Sequence, residues 1–350
     1  EGMKQRGKAV TAGCILLALL AGVGFTKAGS KYRTQEEVNL IFSNVTSNSA
    51  KQAAEKFKEL VEEYSGGKMT VDVFQDNQLG DDKTAAEGVQ NGDIDIAVSS
   101  TSSLSTLYKD YYLYDTPYLF LNKEEVYDVG FTGETATKML EGVEKVGLKH
   151  MAMWENGFRN YTNNAHPIES PADCKGQKIR TMENPIHMKA WKEIGANPTP
   201  MAFSELFTAM QQGTVDGEEN PIGIISSNRF YEVQKYISLT QHVYTPYVVV
   251  MNPDKYDTLT KEQQEIVDRA MKEATQFQLE QSAKDEEEGI KIMEDYGCEV
   301  NELTDEQKME FQKIMEDADV FGVAKDAMEN PEYFDGILKE LEEYRAEGEQ

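Results

Sequence analysis

The sequence contains few of the residues that build metal centres and catalytic triads. Its 350 residues include three cysteines and four histidines. Cys174 and Cys298 lie far apart, and the histidines are scattered with no His-x-x-x-His pattern. Zinc sites and disulfide frameworks need closely spaced ligands or several cysteine pairs. We therefore expect no metal site, no cofactor and two buried thiols, with a single disulfide as the alternative.

Positive charge is also scarce. The chain has 35 basic and 62 acidic residues, a net charge of -27, and only six arginines follow residue 28. The negative electrostatic field of so acidic a chain repels phosphate backbones and anionic lipid, which argues against binding to nucleic acid or to a membrane surface. It also repels an anionic solute, so binding one would need a local, desolvated positive site.

The chain lacks an apolar run long enough for a membrane span. Residues 1–2 are interpreted as a tag remnant, and three basic residues precede an apolar run from Cys14 to Phe25, followed by small residues around Ala28. This order is typical of an export leader. The run has about a dozen residues, whereas a spanning helix needs about 20. Residues 1–28 are therefore predicted to be a signal peptide, with a membrane anchor or lipidation at Cys14 as disfavoured alternatives.

The N-terminal third alternates between strand and helix patterns. Strands are predicted at residues 38–45, 68–74 and 94–98, and helices at 50–64 and 84–89. This β-α-β-α-β order predicts a parallel sheet covered by helices.

A second α/β unit begins near Gly147. Strands are predicted at residues 149–154 and 177–180, helices at 185–194 and 203–212, and a strand edge at 215–217. An apolar, β-branched run at 244–251 is expected to return the chain to the first sheet, and a helix over 260–293 is long enough to cross both units.

We therefore predict an α/β fold of two domains with a hinged cleft and a long helix that spans both domains. The predicted domain I consists of residues 37–156 and 246–285. The predicted domain II consists of residues 157–245 and 286–350.

Several motifs, in order along the chain, carry a resemblance to a known family. They are Gln-Leu-Gly-Asp-Asp at residues 78–82, Asn-Gly-Asp-Ile-Asp at 91–95, Trp-Glu-Asn-Gly-Phe-Arg at 154–159, Gly-Gln-Lys-Ile-Arg at 176–180, the block at 195–205 and Asp-Gly-Glu-Glu-Asn-Pro at 216–221. With these motifs the chain resembles the substrate-binding proteins of tripartite ATP-independent periplasmic (TRAP) transporters, the DctP type.

The resemblance implies a two-domain, periplasmic-binding-protein-like fold that closes around its ligand, and a protein that delivers this ligand to TRAP membrane permease subunits. It implies that Arg180 forms a two-pronged salt bridge with a ligand carboxylate, that Arg159 lies near the same carboxylate, and that Asn220 donates to it. A planar guanidinium matches a carboxylate with two parallel hydrogen bonds and stays charged when buried. We expect the two arginines to lie at the ends of adjacent strands and to converge on one anion; a surface charge is the alternative for each.

The opposite wall of the expected cleft is assigned from the same alignment. Asn44 and Asp82 match family positions near the ligand, and Phe203 is expected to pack on its apolar edge or in the core. Ser100, Ser103 and Glu183 depart from the pattern of sialic-acid-binding relatives, which argues against that ligand. The complete predicted ligand site is Arg180, Arg159, Asn220, Asn44, Asp82, Glu183, Phe203, Ser100 and His187.

A wall that combines Asn44, Asp82, Ser100, Glu183 and His187 suits a ligand with several hydroxyls. Carboxylates accept hydrogen bonds from hydroxyls and repel a second ligand carboxylate. The sequence therefore favours a sugar acid such as D-glucuronate or galacturonate. The alternatives are a C4-dicarboxylate such as succinate or malate, and a ligand-sensing component of a signalling receptor.

No motif supplies a nucleophile, a general base or a metal, so no enzymatic activity is predicted. The adjacent acids Glu218 and Glu219 are expected by chance in so acidic a chain, and Glu219 is interpreted as a hinge or supporting residue. The predicted location is outside the cytoplasm, in the periplasm or at the cell surface, with no membrane insertion after the leader is removed.

Overall fold

The computed structural model describes residues 37–348. The predicted signal peptide lies outside this range. Ten strands lie within it: β1 (Val38–Ser43), β2 (Met69–Phe74), β3 (Ile96–Ser100), β4 (Lys149–Asn163), β5 (Lys178–Thr181), β6 (Asn197–Pro200), β7 (Gly217–Pro221), β8 (Tyr236–Leu239), β9 (Tyr244–Met251) and β10 (Glu299–Glu302).

Thirteen α-helices lie in the same range: α1 (Asn48–Tyr64), α2 (Asp82–Asn91), α3 (Thr101–Leu104), α4 (Lys123–Glu125), α5 (Glu134–Glu141), α6 (Pro185–Ile194), α7 (Phe203–Gln211), α8 (Ile222–Ser227), α9 (Pro253–Thr258), α10 (Lys261–Tyr296), α11 (Asp305–Asp317), α12 (Val320–Ala327) and α13 (Glu332–Gly348). Four 3-10 segments (Lys109–Asp115, Gly142–Val146, Pro171–Cys174 and Phe230–Glu232) and a π-helical segment (Val126–Phe131) complete them.

The strands join in the order β2-β1-β3-β9-β4-β7-β5-β6, with β8 on β4 and β10 on β8. Strands β1, β2 and β3 are parallel, and β9 adds antiparallel to β3. The predicted parallel sheet and the return of the chain to it are both confirmed. Successive residues of β9 pack into different apolar clusters, Val249 and Met251 with α1 and α10, and Val248 and Val250 with the segments around residues 108–140.

Strand β4 belongs to both halves of the sheet. Residues 149–158 pair with β9, whereas residues 159–163 pair with β7 and, in part, β8. The register on β9 shifts between Glu155 and Gly157, and Gly157 has φ +126, which a side chain would strain. A strand predicted to end at residue 154 therefore continues through a bulge for nine further residues.

Helix α10 covers both halves of the sheet. It contacts α1 and β4 on one side and α8 and β10 on the other. Its first turn is held by a capping box, in which the Thr260 hydroxyl accepts from Gln263 N at 3.2 Å and Gln263 Oε1 accepts from Thr260 N at 2.9 Å. The fold prediction of a mixed α/β protein with a long spanning helix is confirmed.

The side chain of Gln278, in α10, completes the hydrogen bonding of the β4 bulge. Its Oε1 accepts from Glu155 N at 2.8 Å, and its Nε2 donates to Glu155 O at 2.8 Å. Glu155 lies opposite Pro246 on β9, and proline has no N–H to donate. A buried amide on the helix therefore replaces the missing partner at the place where β4 passes from one half to the other.

Gln278→Leu is expected to lower the free energy of unfolding by about 2 to 4 kcal/mol. The variant keeps the side-chain volume but leaves the buried N–H and C=O of Glu155 unpaired, and each such group costs about 1–3 kcal/mol. Urea unfolding measures the change. Gln276→Leu, an exposed position on the same helix, is the matched control and should change stability little; equal effects in both variants would contradict the assignment.

Both cysteines of the described region are unpaired, as predicted. Cys174 is buried, but Cys298 is only partly buried, so the expectation of two buried thiols is wrong for Cys298. Between residues 37 and 348, no helix combines the length and the apolar character needed to cross a bilayer.

Candidate functional site

A cavity of about 220 Å³ opens between the loops after β1 and β3 and the strands β4, β5 and β7. This is enough space for several water molecules or one small solute. We call it the cleft. Its lining includes Asp82, Lys83, Ser100, Ser103, Asn156, Arg159, Arg180, Met182, Glu183, Phe203, Asn220 and Tyr247. Seven of the nine predicted ligand residues therefore share one cavity.

Arg180, on β5, is a buried cation with only 2% of its surface exposed. Its Nε and Nη2 both donate to Met201 O, at 3.1 and 2.9 Å, and its Cζ lies 5.8 Å from the centre of the Phe203 ring. Among residues 37–348, no carboxylate oxygen lies within 4.0 Å of its nitrogens. Burial, reinforced by the charge of Arg159, lowers the pKa of Arg180 to about 10. This cation therefore forms no direct salt bridge with a carboxylate of the described residues.

Arg159, on β4, is buried with its charge already paired. Its Nε donates to Glu219 Oε2 at 2.5 Å. The two N–H groups of its Nη2 are shared among the main-chain oxygen of Glu219, Glu219 Oε1 at 2.8 Å and Asn220 Oδ1 at 3.1 Å. His242 Nε2 lies 3.0 Å from Glu219 Oε2. Although burial opposes ionisation, Arg159 and His242 hold the pKa of Glu219 well below its usual range. Nη1 of Arg159 has no hydrogen-bond acceptor among the described residues.

The two arginines do not lie on adjacent strands, contrary to the prediction. Strand β7 lies between them: Arg180 is in register with Glu218, and Arg159 with Pro221. The sequence pattern hid β7 because its residues, Gly-Glu-Glu-Asn-Pro, are polar or turn-forming, yet all five are buried. Both guanidinium groups still line the same cleft.

Strand β7 brings two acids and an amide beside these cations. Glu218 and Glu219 have no exposed surface. Asn220 Nδ2 donates to Glu218 Oε2 at 2.5 Å. Burial, with a contribution from the charge of Glu219, raises the pKa of Glu218 to about 7. From the sequence we assigned these acids no role in binding. The available signal for one was a pair of acids within a short segment whose other residues usually end strands.

The opposite wall carries acceptors and hydroxyls. Asp82, in the first turn of α2, accepts from Ser100 N through Oδ2 at 2.7 Å. Burial, with the neighbouring charge of Asp81, raises the pKa of Asp82 to about 6. The hydroxyls of Ser100 and Ser103 each lie 3.8 Å from Met182 Sδ, a weak acceptor. These hydroxyls can turn toward a stronger partner in the cleft.

Asn44 and His187, both predicted as ligand residues, do not line the cleft. Asn44 is buried behind it, where its Nδ2 donates to Ala50 O at 2.9 Å and Gln75 Oε1 at 2.8 Å. His187 is buried in α6 with Nε2 3.1 Å from Asp115 Oδ1. The structure gives these two side chains packing and loop-positioning contacts.

Asn156 lines the cleft although it was not predicted as a site residue. Its Oδ1 is buried and has no hydrogen-bond partner in the described part of the chain. The residue lies within the 154–159 motif that predicted Arg159, so the signal was available. Over residues 37–348, no cluster of three or more histidine, cysteine, aspartate or glutamate side chains is arranged to hold a metal.

Comparisons with known proteins identify the family of this chain. Residues 42–319 match the DctP family, described as bacterial extracellular solute-binding protein, family 7. The 2,3-diketo-L-gulonate-binding periplasmic protein YiaO of Escherichia coli is 37% identical over 78% of this chain and 83% of that protein. The C4-dicarboxylate-binding protein DctB of Bacillus subtilis is 34% identical over 81% of each.

Solved structures of relatives show the same fold. The sugar acid binding protein DctPAm of Advenella mimigardefordensis, in complex with galactonate, has a TM-score of 0.84 and 32% identity, covering 88% of this chain and 99% of that one. A TRAP solute-binding protein of Roseobacter denitrificans with bound β-D-glucuronate has a TM-score of 0.81 and 29% identity, covering 87% and 98%. The chain therefore belongs to family 7 of the bacterial extracellular solute-binding proteins, the DctP family, whose members are substrate-binding proteins of transporters and not enzymes.

Proposed function

We propose that this chain is the extracytoplasmic solute-binding protein of a TRAP transporter, and that it captures a small organic acid and delivers it to the membrane permease. The observation that carries the proposal is the state of Arg180, a buried cation in the cleft that forms no salt bridge with any carboxylate among residues 37–348. A buried charge is costly unless it is paired. An incoming carboxylate supplies the missing partner.

The ligand carboxylate binds where several donors converge. The guanidinium of Arg180 is anchored on Met201 O through two nitrogens, which fixes its plane and leaves the remaining N–H groups for the ligand. Arg159 offers Nη1 from the other side of β7, since its Nε and Nη2 are held by Glu219 and Asn220. Arg180 is therefore the principal anion-binding residue, and Arg159 assists it.

The rest of the cleft favours a sugar acid over a dicarboxylate. Asp82, Ser100, Ser103, Asn156 and Glu183 line the same cleft and offer acceptors and hydroxyl donors. Hydroxyls of a sugar acid can donate to these acceptors, whereas a second ligand carboxylate would lie among acidic side chains. Two relatives of known structure hold galactonate and glucuronate. A hexuronate such as D-glucuronate or D-galacturonate is the preferred ligand, and a C4-dicarboxylate is the alternative, as in the Bacillus subtilis relative.

The sugar-acid assignment predicts selective thermal stabilisation. D-glucuronate, D-galacturonate and D-galactonate should raise the melting temperature, because a ligand at 100 times its Kd adds about 2.7 kcal/mol to the stability of the folded state. Succinate and malate at equal concentration and pH should give a much smaller shift. Stabilisation by the C4-dicarboxylates alone would overturn the preference for sugar acids, and no stabilisation by any of these acids would count against the proposed function.

Closure of the cleft rests on contacts across its mouth. Ser204 Oγ donates to Asp81 Oδ2 at 2.8 Å, and Asn228 Nδ2 donates to Thr46 Oγ1 at 3.0 Å. These few polar contacts are weak enough to break when the halves separate. In this proposal the open form admits the acid, and the bound carboxylate favours the closed form.

A further inference from the structure

Glu218 is held in one orientation by an amide whose own orientation is fixed. Asn220 Oδ1 accepts from Arg159 Nη2 at 3.1 Å, which directs Asn220 Nδ2 toward Glu218 Oε2 at 2.5 Å. An amide nitrogen only donates, so Oε2 of Glu218 is an acceptor. The other oxygen, Oε1, is the place where a proton can reside.

The groups around Glu218 Oε1 supply one proton fewer than their hydrogen bonds require. Thr162 Oγ1 lies 3.1 Å from Glu218 Oε1 and 2.8 Å from Gln234 Oε1. Gln234 Nε2 donates to Val233 O at 2.9 Å, so Gln234 Oε1 faces Thr162 as an acceptor. A hydroxyl has a single proton to donate. When Thr162 gives it to Gln234 through the shorter contact, Glu218 Oε1 faces a lone pair, and a proton on Glu218 completes the hydrogen-bond chain.

The charges around the ligand's carboxylate lead to the same result. Glu218 is acted on by Glu219 on its own strand, by Arg159 on β4 and by Arg180 on β5, and Asp82 faces Arg180 from α2 across the cleft. If Glu218 and Glu219 are both ionised, their charges offset those of Arg159 and Arg180, and these four groups present no net positive charge to a ligand carboxylate. If Glu218 is protonated, the same four groups carry one net positive charge.

We propose that Glu218 is a positioning residue of the carboxylate site that binds a proton together with the ligand, so that solute capture and proton uptake are coupled. The proposal rests on the proposed function, because it requires a ligand carboxylate beside Arg159 and Arg180. The proton comes from solvent and resides on Glu218 Oε1, where it is donated to Thr162 Oγ1. Glu218 acts through Asn220 and through the charge of the arginine pair and makes no contact with the solute.

This coupling sets the direction of the pH dependence. The burial that raises the pKa of Glu218 to about 7 makes the ligand-free site titrate near neutrality, and the bound anion raises that pKa further. The binding-competent, protonated fraction falls about tenfold between pH 6 and pH 8, and the apparent affinity falls with it. The pKa of Asp82 is raised to about 6, so titration of Asp82 affects the ligand affinity mainly at the acidic end of this pH range.

Isothermal titration calorimetry with D-glucuronate tests the proposal. Titrations at pH 8 in phosphate and in Tris, whose ionisation enthalpies differ, should show uptake of close to one proton per ligand, and the Kd should rise about tenfold from pH 6 to pH 8. Glu218→Gln should take up no proton and should bind about tenfold more tightly than the wild type at pH 8. Its amide reproduces the protonated acid, with Oε1 accepting from Asn220 and Nε2 donating to Thr162.

The control variant is Asp82→Asn, which should retain the proton uptake at pH 8, and circular dichroism should show that both variants are folded. Heat changes that are independent of the buffer in the wild type, or an unchanged pH dependence in Glu218→Gln, would overturn the coupling while leaving the proposed function intact. Succinate replaces glucuronate as the probe if only the dicarboxylate stabilises the protein. Failure of every acid to bind overturns both proposals.

Discussion

Arg180→Met is expected to weaken binding of the organic acid by about 100- to 1,000-fold, which corresponds to about 3 to 4 kcal/mol. The ligand carboxylate would lose its two-pronged partner and remain buried beside Asp82 and Glu183. Calorimetry with the acid that gives the largest thermal shift measures the loss. Arg180→Lys keeps the charge but lacks the planar guanidinium, and its Kd should lie between those of Arg180→Met and the wild type.

The same substitution should leave the ligand-free protein at least as stable as the wild type. Arg180 has no carboxylate partner in the described chain, and burial already disfavours its charge. Methionine fills a similar volume without a charge to desolvate. Urea unfolding of the ligand-free variant measures this. An unchanged Kd would remove Arg180 from the site, and a large loss of stability would show that its main role is structural.

Arg159→Met is expected to have the opposite profile and to lower the free energy of unfolding by about 3 to 5 kcal/mol. The substitution leaves Glu219 buried with only His242 beside it, and a buried ion pair that loses one partner is strongly destabilised. Urea unfolding at pH 7 measures the effect. Arg269→Met, at an exposed ion pair on α10, is the control and should change stability little.

The pH dependence identifies the cause of that loss. Arg159 helps to depress the pKa of Glu219 in the folded state. The stabilisation that ionised Glu219 provides is therefore complete above the pKa of this group in the unfolded state, and it is lost as the pH falls below that pKa. Without Arg159, burial favours the protonated acid. The difference in stability between wild type and variant should therefore shrink from pH 7 to pH 4. A constant difference across this range would indicate lost packing and not an uncompensated carboxylate.

The sequence predicted elements whose periodicity is local. Strand β9 occurs at the predicted residues 244–251, and α6 at residues 185–194. Strand β4 was cut short at residue 154 because Glu155-Asn156-Gly157 has the composition of a turn. The strand continues because Gln278, more than a hundred residues away, supplies the N–H donor that Pro246 lacks. Such a contact has no signature in a local pattern.

The site residues divide in the same way, into those that a local motif predicts and those that depend on contacts between distant segments. Arg180 and Arg159 came from short motifs, and the structure brings both to the cleft. Asn44 was predicted from its match to a family position and His187 as a polar residue of the same wall. Neither lines the cleft, because position in the sequence does not determine side-chain direction. Glu218 was attributed to chance because its environment depends on two other strands, β4 and β5. The proposed domain boundary within β4 stays a prediction.

Burial of the arginine pair has a consequence for the timing of transport. With 1% and 2% of their surfaces exposed, Arg159 and Arg180 offer a dissolved solute no path while the mouth of the cleft is shut. A solute can therefore reach the arginines only after the cleft has opened. The residence time of a captured acid depends on the rate at which the cleft reopens, and not on the strength of the salt bridge alone. A solute held in this way is retained while the protein diffuses. In the proposed function, its release therefore depends on reopening of the cleft at the membrane permease.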